Sequence, residues 1–186
     1  MVGGSDLKNG MTILYNGEPY RVEYFQHVKP GKGSAFTRTK LRNLTTGSIL
    51  EFTFKARDEI ELATVERKEV EYLYKDPSFF YFMDPESYEQ IQLPAKQCEK
   101  IAAYLKENMR VAVTTYKDRV LDIAVPNFVE LKVAKTDPGF RGDTATGGSK
   151  PATLETGGVV TVPLFINEGD IIQIDTRTGE YLSRKS

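Results

Sequence analysis

Short runs of β-forming residues, each closed by a turn signal, recur along the whole of this chain. Met11–Tyr15 and Tyr20–Phe25 flank Asn16-Gly17, the dipeptide favoured in two-residue hairpins. Phe36–Leu41 alternates apolar and polar residues. It is separated from Tyr20–Phe25 by His27-Val28-Lys29-Pro30-Gly31-Lys32-Gly33-Ser34, where Pro30-Gly31 is turn chemistry and Gly33 a second permissive position. Ile49–Phe54 follows a turn at Thr46-Gly47. Val70–Tyr74 and Phe79–Met83 enclose Asp76-Pro77-Ser78, and Arg110–Tyr116 and Val120–Val125 enclose Lys117-Asp118. Phe128–Ala134, Val159–Phe165, Ile171–Asp175 and the residues around Tyr181 complete the series. Strands this short and this evenly punctuated close into small barrels more readily than into one large sandwich.

One segment breaks the pattern. After Pro94, the residues Cys98, Ile101, Ala102 and Leu105 recur at three- and four-residue steps, which predicts one amphipathic helix ending near Asn108. A second, shorter helical turn is expected over Glu86–Ile91. Cys98 falls on the apolar face and reads as a core residue. The 186 residues then divide into β-rich modules of about sixty residues each. Their expected spans are 1–63, 64–127 and 128–186. Between the strand at Phe128–Ala134 and the next apolar run lies a long Gly-rich stretch, residues 137–151, expected as a functional loop.

Charge is unevenly spread. Residues 1–57 carry nine basic and four acidic side chains, residues 58–130 nine and fifteen, and residues 131–186 seven of each. Within the first segment Lys29, Lys32, Arg38, Lys40 and Arg42 follow one another without an intervening acid. A phosphate backbone is the usual partner of such a stretch, so Arg38, Lys40 and Arg42 are candidate RNA contacts. The acidic middle segment opposes indiscriminate coating of nucleic acid.

Several chemistries are excluded. One cysteine permits no intramolecular disulfide, and one histidine leaves no paired-His metal site. No apolar run approaches the ~20 residues of a membrane-spanning helix, and Met1–Asn9 has no apolar core like that of a signal peptide. A cytoplasmic protein is expected. Gly147-Gly148-Ser149-Lys150 places Ser before Lys, the wrong order for a phosphate-binding loop, and Gly31-Lys32-Gly33 lacks the hydroxyl residue such a loop needs. No carboxylate pair or nucleophile–base arrangement is recognisable. The expectation is a binding protein, neither an enzyme nor a cofactor carrier, that works by positioning its partner.

Lys32 is the residue of greatest interest. It stands between two glycines at the expected hairpin tip, whose missing side chains leave the tip narrow enough to approach another backbone closely. A long cationic stem on a narrow tip suits a confined anionic space.

The stretch Val28-Lys29-Pro30-Gly31-Lys32-Gly33-Ser34-Ala35-Phe36 can be read with Gly139-Phe140-Arg141-Gly142-Asp143-Thr144-Ala145 and Lys150-Pro151-Ala152-Thr153-Leu154. Together they closely resemble the bacterial translation elongation factor P family. The resemblance extends through Pro126-Asn127-Phe128-Val129-Glu130-Leu131, Val162-Pro163-Leu164-Phe165 and Asp175-Thr176-Arg177-Thr178-Gly179-Glu180-Tyr181, nearly the whole chain. The family is also similar to initiation factor five A, which carries hypusine at the corresponding lysine. The resemblance implies an all-β, L-shaped monomer of three barrels: an SH3-like, KOW-type domain and two OB-folds, the middle one with a short helix. It implies a factor that binds both ribosomal subunits beside peptidyl-tRNA and relieves stalls at consecutive prolines. Lys32, in a tip loop with Lys29, Pro30, Gly31, Gly33 and Ser34, would reach the peptidyl-transferase centre. Asp143, Thr144, Gly147, Gly148 and Lys150 would approach the exit-site mRNA codon. Some family members bear an amine-containing modification on the tip lysine and others act unmodified, so Lys32 is a candidate for a lysine-modifying enzyme. Rhamnosylation belongs to members with arginine there. A general OB-fold RNA-binding protein or RNA chaperone, indifferent to the tip, is the competing expectation.

Overall fold

A computed structural model of the chain describes residues 1–139 and 147–185. Its described secondary structure is all-β apart from short 3-10 turns. The chain divides into two compact units, residues 1–68 with 113–122, and residues 69–112 with 123–186.

In the first unit, β1 (Val2–Gly3) pairs with β6 (Glu59–Ile60). Between them, β2 (Thr12–Tyr15), β3 (Glu18–Val28), β4 (Phe36–Asn43) and β5 (Ile49–Lys55) form an antiparallel meander. The β2–β3 turn is Asn16-Gly17, and both residues have positive φ, 50° and 80°, as the two-residue hairpin requires. Strict alternation in β4 buries Thr37, Thr39, Leu41 and Asn43 and turns Arg38, Lys40 and Arg42 outward. Leu7, Ile13, Val22, Leu41, Phe54 and Ile60 form the core of this unit.

A second sheet has the order β11-β10-β7-β8-β9, built from β7 (Glu66–Lys75), β8 (Phe79–Met83), β9 (Gln90–Pro94), β10 (Arg110–Tyr116) and β11 (Arg119–Ala124). The third has the order β14-β13-β12-β15-β16, from β12 (Phe128–Thr136), β13 (Ser149–Leu154), β14 (Val159–Pro163), β15 (Ile171–Asp175) and β16 (Glu180–Lys185). Val129, Leu131 and Val133 project from alternate positions of β12 into its core, where Ile166, Ile172 and Ile174 are also fully or nearly fully buried.

The continuous helix expected after Pro94 is instead two 3-10 turns, Ala95–Cys98 and Ala102–Tyr104. Cys98, Ile101 and Leu105 are buried as their spacing predicts, whereas Ala102, expected on the same face, is only half-buried. The backbone, however, closes through three-residue steps, Ile101 N–H to Cys98 O at 3.1 Å and Tyr104 N–H to Ile101 O at 2.9 Å. A segment this short has little intrinsic helicity, and tertiary packing chooses its form. At Glu86–Ile91 the expected helical turn is a tight turn capped by Asp84, whose Oδ1 accepts from Glu86 N–H at 2.9 Å, and β9 already begins at Gln90.

Burial pushes the Cys98 thiol up to about 11. Thiolate is the reactive form, so alkylation of the native protein at pH 7.5 is expected to be at least about 100-fold slower than in 6–8 M urea. Equal rates in mass-detected iodoacetamide labelling would show that Cys98 is not the sequestered core residue described here.

Within the second unit, the turn at Ala102–Tyr104 meets the segment that joins β13 to β14. Thr156 Oγ1 donates to Ala103 O, and Lys106 Nζ lies 3.2 Å from Glu155 Oε1. Tyr104 and Met109 pack against the core of the third sheet. Gly158 is so close that a Cβ there would stand 2.7 Å from Ala103 O and 2.8 Å from Ala103 Cβ.

Candidate functional site

The tip grows out of the β3–β4 hairpin. Pairing runs to Val28↔Phe36, leaving residues 29–35 as the loop. The stem is fixed below it: His27 Nδ1 and Thr37 Oγ1 are 2.8 Å apart, Thr37 is buried, and the His27 ring packs on Phe25 at 5.1 Å. The C-terminal base of the loop is tied down by Ala56 N–H, which donates to Ala35 O at 3.0 Å. Above these anchors Lys29 and residues 31–34 are exposed. Among the described residues Lys32 has no hydrogen-bond or ion-pair partner, so its ammonium is available to an outside group.

The two flanking glycines differ. A Cβ at Gly31 would meet nothing within 4 Å, whereas Gly33 has a φ of +109°, which L side chains rarely adopt. Gly31→Val is therefore expected to leave thermal stability unchanged, and Gly33→Val to lower it by about 1–2 kcal/mol. If Gly31→Val nevertheless impairs function, the added bulk acts on the partner. Equal melting temperatures for both variants would contradict the strained geometry at Gly33.

Arg38, Lys40 and Arg42 share one outward face, as alternation predicts, but they are not equally free. Arg42 makes a two-pronged contact with Glu23, its Nε to Oε1 and its Nη2 to Oε2, and its Nη1 donates to Gly47 O at 3.2 Å. The hydrogen bond from Arg42 holds the Glu23 carboxyl below the usual carboxylate range, and Glu23 in turn raises Arg42. Lys40 lies 3.3 Å from Glu51. The Arg38 guanidinium sits 5.6 Å over the Phe36 ring and, among the described residues, pairs with no acid. The cations left open around the hairpin are thus Lys29, Lys32 and Arg38. Sequence reading missed two more: Lys55 is opposite Phe36 in the β4–β5 register, and Arg57 lies two residues on, both exposed and, among the described residues, without an acidic side-chain partner. The run Lys55-Ala56-Arg57 was visible in the sequence, but only strand register brings it to the loop base.

The described parts of the Gly-rich stretch, residues 137–139 and 147–151, belong to the second unit. Asp143 and Thr144 lie outside the described residues. Gly147 has a φ of +96°, and with Gly148 it borders a cavity of about 670 Å³ between β14 and the start of β16. Lys150, expected as a cation offered to RNA, is 7% exposed and donates its ammonium to Asp137 O. Its inward direction follows from β13, which begins at Ser149 and alternates from there. Among the described residues no group of three His, Cys, Asp or Glu side chains could hold a metal. Among the described residues no helix is long and apolar enough to cross a membrane.

Three family models match in sequence: the elongation factor P KOW-like domain over residues 4–60, its OB domain over 65–123, and its C-terminal domain over 129–184. The elongation factor P of Thermoanaerobacter sp. (strain X514) is 55% identical over 184 residues, spanning 99% of this chain and 100% of that protein. That of Clostridium botulinum (strain Eklund 17B / Type B) is 48% identical over the same shares. Among solved structures, the eukaryotic translation initiation factor 5A from Methanococcus jannaschii aligns with 67% of this chain and 93% of its own. Its TM-score is 0.57 at 22% identity, a likeness of fold.

Proposed function

This chain belongs to the elongation factor P family of translation elongation factors, and from that premise we propose that it binds the ribosome beside peptidyl-tRNA and promotes peptide-bond formation where consecutive prolines stall synthesis. The observation that carries this reading is Lys32, exposed at the head of an anchored hairpin and without a partner among the described residues. A proline ring fixes φ and narrows the geometries open to the reacting chain. Holding such a substrate in a reactive arrangement lowers the barrier without a reacting group from the factor. Lys32 would contribute charge and reach, while Lys29, Arg38, Lys55 and Arg57 would meet RNA phosphates around it. The factor would act in the cytoplasm as a monomer.

An exposed amine with open space at Gly31 is also accessible to a modifying enzyme. An amine-bearing extension would lengthen the cationic arm. Intact-mass measurement of the protein from its host reads this directly.

The function is tested by translating a Pro-Pro-Pro reporter on cognate ribosomes that lack the factor. Full-length product should be restored when the protein is added and should not change for a reporter without prolines. Equal stimulation of both reporters would favour a general RNA-binding protein, and stimulation of neither would overturn the reading.

A further inference from the structure

The first unit holds a cavity of about 420 Å³ on the side of the meander where β2, β5 and β6 meet, away from any role assigned above. Its floor is aromatic. Tyr15 and Phe52 are half-buried with ring centroids 4.8 Å apart, Phe52 and Phe54 are 4.7 Å apart, and Tyr15 meets Phe54 edge-on at 6.4 Å. Its rim is acidic, formed by Asp58, Glu59 and Glu61. The rim segment is held in place by its backbone, since Leu14 N–H donates to Glu61 O at 2.8 Å and Gly4 N–H to Asp58 O at 3.0 Å. The Asp58 carboxylate is turned to Lys55 N–H at 2.7 Å. Glu59 and Glu61 are exposed, and among the described residues neither carboxylate has an ion-pair partner. Among the described residues no cation sits over the three rings.

We propose that this cavity seats an arginine side chain from a basic segment of a protein partner. A guanidinium can lay its flat face on the Tyr15 and Phe52 rings while its N–H fork donates to Glu59 and Glu61. The same acidic rim repels a phosphate backbone, so the site selects protein against RNA. Charge is thereby divided within one small unit. The outward face of β4 carries cations, and the β5–β6 side carries carboxylates over aromatic rings. The inference stands on this cavity and does not depend on the ribosomal reading.

The test uses the full-length, nitrogen-15-labelled protein and three probes: the peptide Ac-Ala-Arg-Ala-Arg-Ala-amide, its citrulline counterpart, and a hexauridine oligonucleotide. The arginine peptide should shift the amides of Tyr15, Phe52 and Glu61 saturably. The citrulline peptide, which keeps the shape and loses the charge, should bind at least about tenfold more weakly. The double variant E59Q/E61Q, confined to exposed side chains, should lose about fivefold or more in affinity with an unchanged melting temperature. Phe52→Leu, which keeps apolar volume and removes the ring face, should also weaken binding. Equal binding of the citrulline peptide, shifts centred elsewhere, or hexauridine shifting the same amides would each overturn the proposal.

Discussion

Lys32→Ala is expected to abolish relief of a Pro-Pro-Pro stall while moving the melting temperature by no more than about 2 °C. The two halves of this result have separate causes. The side chain is exposed and makes no hydrogen bond or ion pair among the described residues, so its removal costs the fold nothing that can be named. Its proposed work is done wholly on the partner, so its removal takes that contribution in full. Lys32→Arg divides the activity loss further. Arginine keeps the charge but not the primary amine, so retained activity would assign the effect to charge, and loss would assign it to the amine or its modification. Undiminished stall relief by Lys32→Ala, read as full-length reporter over time, would show that the body of the protein suffices. A fall of many degrees in melting temperature would show that the tip is packed, against the geometry described.

The second large effect is expected far from the tip. Gly158→Ala should lower stability by about 1–3 kcal/mol, because the new methyl meets backbone and has no flexible side chain to displace. Its Cβ would stand 2.7 Å from Ala103 O, 2.8 Å from Ala103 Cβ and 3.1 Å from Ala103 Cα. The strain falls where the 3-10 turn at Ala102–Tyr104 abuts the β13–β14 connection, so separation there is the expected relief. Hydrogen exchange should then quicken around Ala103 and Thr156 before it quickens in the strands of the third sheet. Thr156→Ala is the companion variant. It deletes the hydroxyl that donates to Ala103 O without adding bulk, and should cost about 1 kcal/mol. A Gly158→Ala protein indistinguishable from wild type in thermal unfolding and exchange would refute the close approach.

What was legible in the sequence follows from the range of the signal. Strand β4 could be read because alternation is local: each of Thr37, Thr39 and Leu41 declares its face by its neighbours. Lys32 could be read because two glycines beside it mark a tip without reference to anything distant. The fate of Arg42 could not. Its partner Glu23 lies in the irregularity between the Val22↔Leu41 and Tyr24↔Lys40 pairs, a feature of register that neither strand announces alone. Lys150 looked like part of a solvated loop because glycines precede it, yet strand parity from Ser149 points it inward. The spacing of Cys98, Ile101 and Leu105 correctly marked buried positions but left open whether an α-helix or successive 3-10 turns would bury them. The contact between Gly158 and Ala103 joins residues far apart in the chain, and no local pattern encodes it.

The alternation in β4 also limits how this hairpin can change by descent. Losing or gaining one residue within the strand would exchange faces beyond that point, bringing Arg38 and Lys40 toward the core and Thr37 and Thr39 into solvent. Substitutions on the outer face are tolerated by the fold, but length is not a free variable. The reach of Lys32 can be extended with its facing preserved only in steps of two residues per strand, about 7 Å at a time. Any partner fitted to this tip therefore faces a ruler with coarse divisions, and must do its own fine adjustment.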